Sequence, residues 1–139
     1  MKIDCSLGEV VDKVTILDIK ISSIQDPVKV KYCEEERAVL LTSLLENGFM
    51  NSTIEYYRRV LRLVNQQIWD DQEILRRIGT RDWTEYGKVA YLVIEKNDAR
   101  FKLKRIVNEL SSGEQLKEQK SYEHKTLIIT FDTKDRKST

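Results

Sequence analysis

The sequence predicts an all-α fold, an antiparallel four-helix bundle with two long C-terminal helices and a short C-terminal strand. Two observations predict it. The 139-residue chain is 34% charged but contains only one proline and five glycines, so few residues interrupt helices. Apolar residues also recur at steps of three and four over most of the chain, which is the spacing of one helix face. A chain of this length is expected to form one core of ordinary size.

The first two helices are predicted from their capping residues. Ser6 and Glu9 form a capping box, and apolar residues recur at helical spacing from there to Asp26. Aspartate followed by Pro27 is typical of a helix start, because proline suits the first helical position and aspartate caps the residues after it. The second helix is therefore predicted from Pro27 to Leu45, before an Asn-Gly stop.

The third and fourth helices are predicted in the same way. Ser52 and Glu55 form a second capping box, and apolar positions then alternate strictly by three and four as far as Ile78. After a glycine stop, Asp82 restarts a helix that is predicted to continue to about residues 112–113. The connections are short, which favours antiparallel packing of successive helices.

The C-terminal part of the chain has a different character. Residues 126–131, TLIITF, are β-branched and aromatic, as in a strand. A strand needs a partner, and we expect either residues 2–4 or a symmetry mate. The predicted organisation is a helical bundle domain at 1–122, a strand-like extension at 123–131 and a disordered tail at 132–139.

Composition excludes several classes of function. The formal net charge is only +1, so no long-range field favours nucleic acid or an anionic membrane. No apolar run approaches the ~18 residues of a membrane span, and the N-terminus lacks the apolar core of a signal peptide. We therefore expect a cytoplasmic protein with no nucleic-acid partner and no membrane partner.

Cysteine and histidine are too scarce for common metal or nucleophile chemistry. Cys5 and Cys33 are the only cysteines and His124 is the only histidine. Two reduced thiols are expected rather than a disulfide. The chain has too few cysteines and histidines for a zinc site or for a Ser-His or Cys-His nucleophile, so we expect no cofactor.

The fourth helix places polar residues where apolar ones are expected. Asn97, Arg100 and Lys104 continue a seam of alternating four-residue and three-residue steps. A second plausible seam, shifted around the helix, also passes through Arg100. The side chain of Arg100 therefore faces inward in either case. A charge that faces the core is costly unless it is paired with an opposite charge or binds a ligand, so we expect counterparts on other helices.

Polar residues on three helices form the candidate site. The proposed ligand-binding residues are Glu9, Asp12, Lys13, Lys20, Trp69, Asp70, Glu73, Asn97, Arg100 and Lys104. One interpretation is a buried salt-bridge network that sets the register of the helices, in which acids near residues 70–73 form ion pairs with Arg100. Another is a pocket in which the cations bind a phosphate or carboxylate while Asp70 and Glu73 orient it or act as acid and base. A third, a metal held by Asp70, Asp71 and Glu73, is weak, because carboxylates at this spacing are common on solvated faces.

Four stretches of the sequence carry a resemblance to a known family. SLGEVVDKVTILDIKISSIQDP, VNQQIWDDQEI, KNDARFKLKRIVNEL and EQKSYEH, in that order, resemble a family of short bacterial and phage-borne proteins catalogued as a domain of unknown function. The similarity spans residues 6 to 122, and Asp71 departs from it, because the family usually has an apolar residue there. The resemblance implies a surface-polysaccharide context but no reaction. The matching positions are Gly8, Glu9, Asp12, Lys13, Lys20, Asn65, Trp69, Asp70, Asn97, Asp98, Arg100, Lys104, Ser121 and Tyr122.

Three functions therefore remain open. The leading hypothesis is a small helical binding protein with an inter-helix polar pocket for an anionic small molecule or a partner. The alternatives are an enzyme acting on a phosphorylated or carboxylated metabolite, and an assembly protein whose charged seam is structural. A homo-oligomer is expected because of the two long helices and the lone strand.

Overall fold

The computed structural model describes residues 2–111 and 126–130, and these residues are mainly helical. The elements are β1 (Lys2–Ser6), α1 (Leu7–Ser23), α2 (Pro27–Glu46), α3 (Ser52–Ile78), α4 (Trp83–Leu110) and β2 (Thr126–Thr130). The predicted helical class with four helices is confirmed, and the two longest helices are α3 and α4. None of the helices within the described residues is long and apolar enough to cross a membrane. The predicted tail at 132–139 lies outside the described residues.

The helix caps explain where the helices begin. The side chains of Ser6, Asp26 and Asp82 each accept a hydrogen bond from a backbone N–H in the first turn, as predicted. The prediction for α3 was wrong by one residue, because Asn51 is the N-cap and Ser52 is already helical. The Asn51 side chain accepts from the third residue beyond it, and asparagine is at least as good an N-cap as serine.

The two strands pair with each other at the edge of the helical core. β1 and β2 are antiparallel, with Lys2 opposite Thr130 and Ser6 opposite Thr126. The side chains of Leu127 and Ile129 are buried in the same hydrophobic cluster as the helices. The N-terminal segment is therefore the partner of β2 within the chain, and β2 is part of the core rather than an extension from it.

Helix α1 is the central element of the core. It contacts α2, α3 and α4 as well as β1. A helix enclosed on most sides must be apolar over most of its circumference, and this is the case for α1. Its buried residues are Leu7, Gly8, Val10, Val11, Asp12, Val14, Thr15, Leu17, Asp18 and Ile19.

Gly8 allows the start of α1 to approach α4 closely. A Cβ atom at this position would lie 2.5 Å from the carbonyl oxygen of Lys104. The amide of Gly8 is one of the free N–H groups of the first helical turn, and it donates to Oδ1 of Asn108 at 2.7 Å. Only glycine permits this backbone approach, which brings the polar residues of the two helices within reach of each other.

Replacing Gly8 by alanine should therefore destabilise the fold. We expect Gly8→Ala to lower the free energy of unfolding by about 1–3 kcal/mol, because the added methyl meets backbone rather than a flexible side chain. Gly87 is the matched control, since it lies in α4 with nothing within 4 Å of an added Cβ. Gly87→Ala should raise the free energy of unfolding by about 0.5–1 kcal/mol, because alanine is the better helix former. Urea denaturation measures both, and equal effects of the two substitutions would contradict the close approach at Gly8.

Candidate functional site

The site is built around the carboxylate of Asp12, which is only 2% exposed. Arg100 binds it with two parallel hydrogen bonds, from Nε to Oδ1 at 2.9 Å and from Nη2 to Oδ2 at 2.6 Å. This two-bond geometry matches the planar guanidinium to the planar carboxylate and is among the strong forms of ion pair. Arg100 therefore faces inward, as the seam spacing predicts, and its counterpart lies on α1.

Asn65 connects the same carboxylate to α3. Its Nδ2 donates to Oδ1 of Asp12 at 2.9 Å and to Oγ1 of Thr15 at 2.7 Å. The hydroxyl of Thr15 in turn donates to the backbone carbonyl of Asp12 at 2.7 Å. Three helices thus meet at one buried carboxylate, and each of these polar groups has a hydrogen-bond partner.

Lys104 and Glu9 complete the cluster one helical turn away. The Nζ of Lys104 lies 2.6 Å from Oε1 of Glu9 and 3.8 Å from Oδ2 of Asp12. Lys104 is only 8% exposed, and its ammonium also lies 5.4 Å from the ring centroid of Phe101. Two acids and two cations therefore face each other, and the formal charge of the group is zero.

The pKa of Arg100 is raised by this environment. The hydrogen bonds to Asp12 are the largest cause, burial opposes them, and the negative charges of Asp12 and Glu9 raise the pKa further. The guanidinium is accordingly charged at any physiological pH. It acts as a fixed cation that presents donors and has no role as a proton carrier.

A pocket of about 190 Å³ opens beside Arg100, between α1, α3 and α4. Its walls are mostly apolar and include the indole of Trp69, while Asn65 and Arg100 supply polar groups. The complete lining is Ile16, Ile19, Asn65, Ile68, Trp69, Gln72 and Arg100. Asn97 borders the guanidinium, because its Oδ1 accepts a long hydrogen bond of 3.5 Å from Nη1 of Arg100.

The structure brings together six of the ten predicted site residues. Five of them belong to the polar cluster or border it, and one, Trp69, lines the pocket. The five are Glu9, Asp12, Asn97, Arg100 and Lys104. Three of these lie on α4 and two on α1, so the largest share of the site comes from the helix with the unusual polar seam.

The other two predicted lysines do not converge with Arg100. The Nζ of Lys13 lies 3.8 Å from Oε1 of Glu36 on α2. Lys20, two turns further along α1, forms no ion pair within residues 2–111 and 126–130. The four cations that were expected to surround one anion therefore do not converge. Only Arg100 and Lys104 lie together, and both are already paired with acids.

The prediction that acids on α3 form ion pairs with Arg100 was wrong. Asp70 and Glu73 are exposed, and they pair with Gln66 and Arg76 on their own helix. The helical period explains this exposure. Asp71 faces α4, and residues one or two positions away from it on the helix point in other directions, toward solvent. Asp71 itself is buried and accepts from Lys96 at 2.5 Å.

Several site residues were missed by the sequence analysis. Asn65 appeared only among the residues of the family resemblance, and Thr15, Ile16, Ile19, Ile68 and Gln72 were not considered as site residues. The apolar repeat predicted along α3 as far as Ile78 does not include Asn65. Asn65 lies on the side of α3 toward α1, because its side chain binds Asp12 and Thr15. Asn65 lies four residues after Leu61 and three before Ile68, and this spacing, which places it on the same side of the helix as two apolar residues, was the available signal.

Comparisons with models of protein families, with curated proteins and with solved structures found no match. The family resemblance therefore stays a prediction. Within the described residues, no group of three or more histidine, cysteine or acidic side chains is placed to hold a metal ion. The geometry of the polar cluster and its pocket is thus the basis for assigning a function.

Removing the guanidinium should expose the energetic role of the cluster. Arg100→Met would leave Asp12 buried without its two-bond partner, and we expect the free energy of unfolding to fall by about 3 kcal/mol. The double variant Asp12→Asn with Arg100→Met should recover a large part of this loss, because no buried charge is then left unpaired. Guanidinium chloride denaturation of wild type, both single variants and the double variant gives the coupling energy. A coupling near zero would mean that the ion pair does not hold the helices together.

Proposed function

We propose that this protein is a small helical binding protein whose pocket takes a small molecule with an apolar body and one acidic head group. A single observation carries the proposal: Arg100, whose guanidinium is held by Asp12, lines an otherwise mostly apolar pocket. A charged donor in such a setting fixes the orientation of a ligand, while the apolar walls supply contact area.

The hydrogen-bonding capacity of Arg100 supports an acidic head group. A guanidinium has five N–H donors and no acceptor. Asp12 takes two of them, and the contact of Nη1 with Asn97 is long at 3.5 Å. The outer edge therefore retains donors in the plane that a carboxylate or phosphate recognises. Because Asp12 already neutralises Arg100, recognition depends on directed hydrogen bonds more than on net charge.

The size and walls of the pocket support a ligand about one ring wide. Its volume of about 190 Å³ is somewhat larger than the roughly 150 Å³ cavity that holds a benzene molecule in an engineered protein. The indole of Trp69 offers a flat face for stacking, and three isoleucines offer aliphatic contact. A monocyclic or short aliphatic acid has matching dimensions.

The other two functions receive less support. The enzyme hypothesis relied on Asp70 and Glu73 as acid and base, and their side chains are exposed and paired on the outer face of α3. The structural-seam hypothesis is supported by the Asp12–Arg100 pair, and one cluster can fulfil both roles, since a fixed arginine is also a better binding group. The connection between α3 and α4 has only four residues, and Asp71 of α3 pairs with Lys96 of α4. A short connection between two helices in contact supports the proposed antiparallel packing.

The pocket proposal can be tested with simple ring acids. We expect benzoate or phenyl phosphate to change the fluorescence of Trp69 in a Trp83→Phe background, and the neutral benzamide to bind at least about tenfold more weakly, since it lacks the charged oxygens. Gln72→Phe should reduce benzoate affinity by about tenfold or more, because the ring would fill the mouth of the pocket. Gln67→Phe is the matched control, as Gln67 is also exposed on α3 but does not line the pocket.

Two results would contradict the proposal. Equal affinity for benzoate and benzamide would show that Arg100 does not read an acidic group. Equal weakening by Gln72→Phe and Gln67→Phe would show that the probe binds elsewhere.

A further inference from the structure

Helix α4 carries a row of apolar side chains that the rest of the described structure leaves exposed. Leu92, Ala99 and Ile106 follow each other at intervals of seven residues, which places them on one side of the helix. Leu92 is 43% exposed and Ile106 is 38% exposed, and Ala99 is exposed as well. Steps of about 100° per residue place this row beyond the contact with α3, on the side of α4 away from α1.

A row of alternating charges runs beside the apolar row. Its members are also seven residues apart and interleave with the apolar ones at steps of three and four. They are Lys88, Glu95, Lys102 and Glu109, and all four are exposed. Within the part of the chain that the structure describes, none of the four forms an ion pair, although Glu95 accepts a hydrogen bond from Tyr91.

The charge pattern of the two rows is complementary to the same pattern read in the opposite direction along the helix. In the forward direction the positions are Lys, Leu, Glu, Ala, Lys, Ile and Glu, and reading backward exchanges every lysine with a glutamate. An antiparallel second copy of α4 would place Glu95 beside Lys102 of the second copy, and Lys88 beside its Glu109. A parallel copy would instead place the two charge rows on opposite sides of the contact, so that the lysines of one copy would not meet the glutamates of the other. The position and order of the charges thus favour the antiparallel orientation of a second copy.

The apolar row fits the same arrangement. The centre of the repeat is Ala99, so two helices related by a twofold axis would meet there at their smallest side chain and could approach closely. Leu92 would then face Ile106 of the second copy on each side of the axis. Such a contact uses the same patch on both copies, as a twofold interface requires.

We propose that the face of α4 formed by these two rows, here called the heptad face, binds the heptad face of a second copy in antiparallel orientation. The proposal is independent of the pocket, because Arg100 and Lys104 point to α1 from the other side of the helix. Each subunit of the dimer would keep its own polar cluster and pocket unchanged.

Charge reversal with the full chain tests the proposal. Sedimentation equilibrium should give twice the chain mass of 16.4 kDa for the wild type. Glu95→Lys alone and Lys102→Glu alone should each weaken the dimer by about tenfold or more, because each sets like charges against one another at two symmetric places. The combined Glu95→Lys and Lys102→Glu variant should restore the wild-type association, because the swapped pairs are again opposite in sign.

The matched control is Glu35→Lys, an exposed charge reversal on α2 that should leave the dimer intact. All of these positions are exposed, so circular dichroism should show folded protein in each case. A wild type that stays monomeric at high concentration would overturn the proposal, and so would a dimer that the single reversals do not weaken. Failure of the combined variant to recover would also overturn it, since the pairing would then not depend on complementary charge.

Discussion

The buried carboxylate of Asp12 is the constraint on which this structure depends. A charge with 2% of its surface exposed must be compensated by partners at short range. Arg100 supplies the opposite charge from α4 and Asn65 supplies a further donor from α3. Because both partners must reach Oδ1 of Asp12, this carboxylate sets how α3 and α4 sit against α1. The position of the pocket follows from this arrangement.

Helix α1 contains a second buried aspartate that pairs with arginines of other helices. Asp18, also buried, pairs with Arg37 of α2 at 2.8 Å and with Arg58 of α3 at 3.3 Å. The two acids of α1 together connect it to all three other helices, and the core residues Val14 and Leu17 lie between them in the sequence. The difference lies in what surrounds the cations. Arg100 borders a pocket beside a tryptophan, and this setting is what makes the Asp12 cluster a candidate binding site.

Much of the fold follows from local signals in the sequence. Asp26 before Pro27 and Asp82 before a helical repeat indicate helix starts through the hydrogen bonds that a cap must make, and such bonds involve only neighbouring residues. The inward direction of Arg100 also follows from the period of its own helix. Composition alone identified the strand at residues 126–130, because β-branched residues are concentrated there.

The partner of Arg100 could not be predicted in the same way. The choice between Asp12 and the acids near residue 70 depends on how three helices pack, and helix period places a residue only on a face of its own helix. The close approach at Gly8 decides it, since this contact brings the first turns of α1 against the end of α4. Asn65 was overlooked for a related reason, because the period of α3 can place it on an inward side but cannot show that a buried acid of α1 lies opposite.

The most direct test of the account is hydrogen exchange of the Asp12→Asn variant, with Asp70→Asn as an exposed control on α3. If one carboxylate holds three helices in place, amides in α1, in the middle of α3 and in the second half of α4 should lose protection together, while those of α2 change little. The control should leave exchange unchanged throughout. Loss of protection confined to α1, or no greater than in the control, would contradict the central role of Asp12.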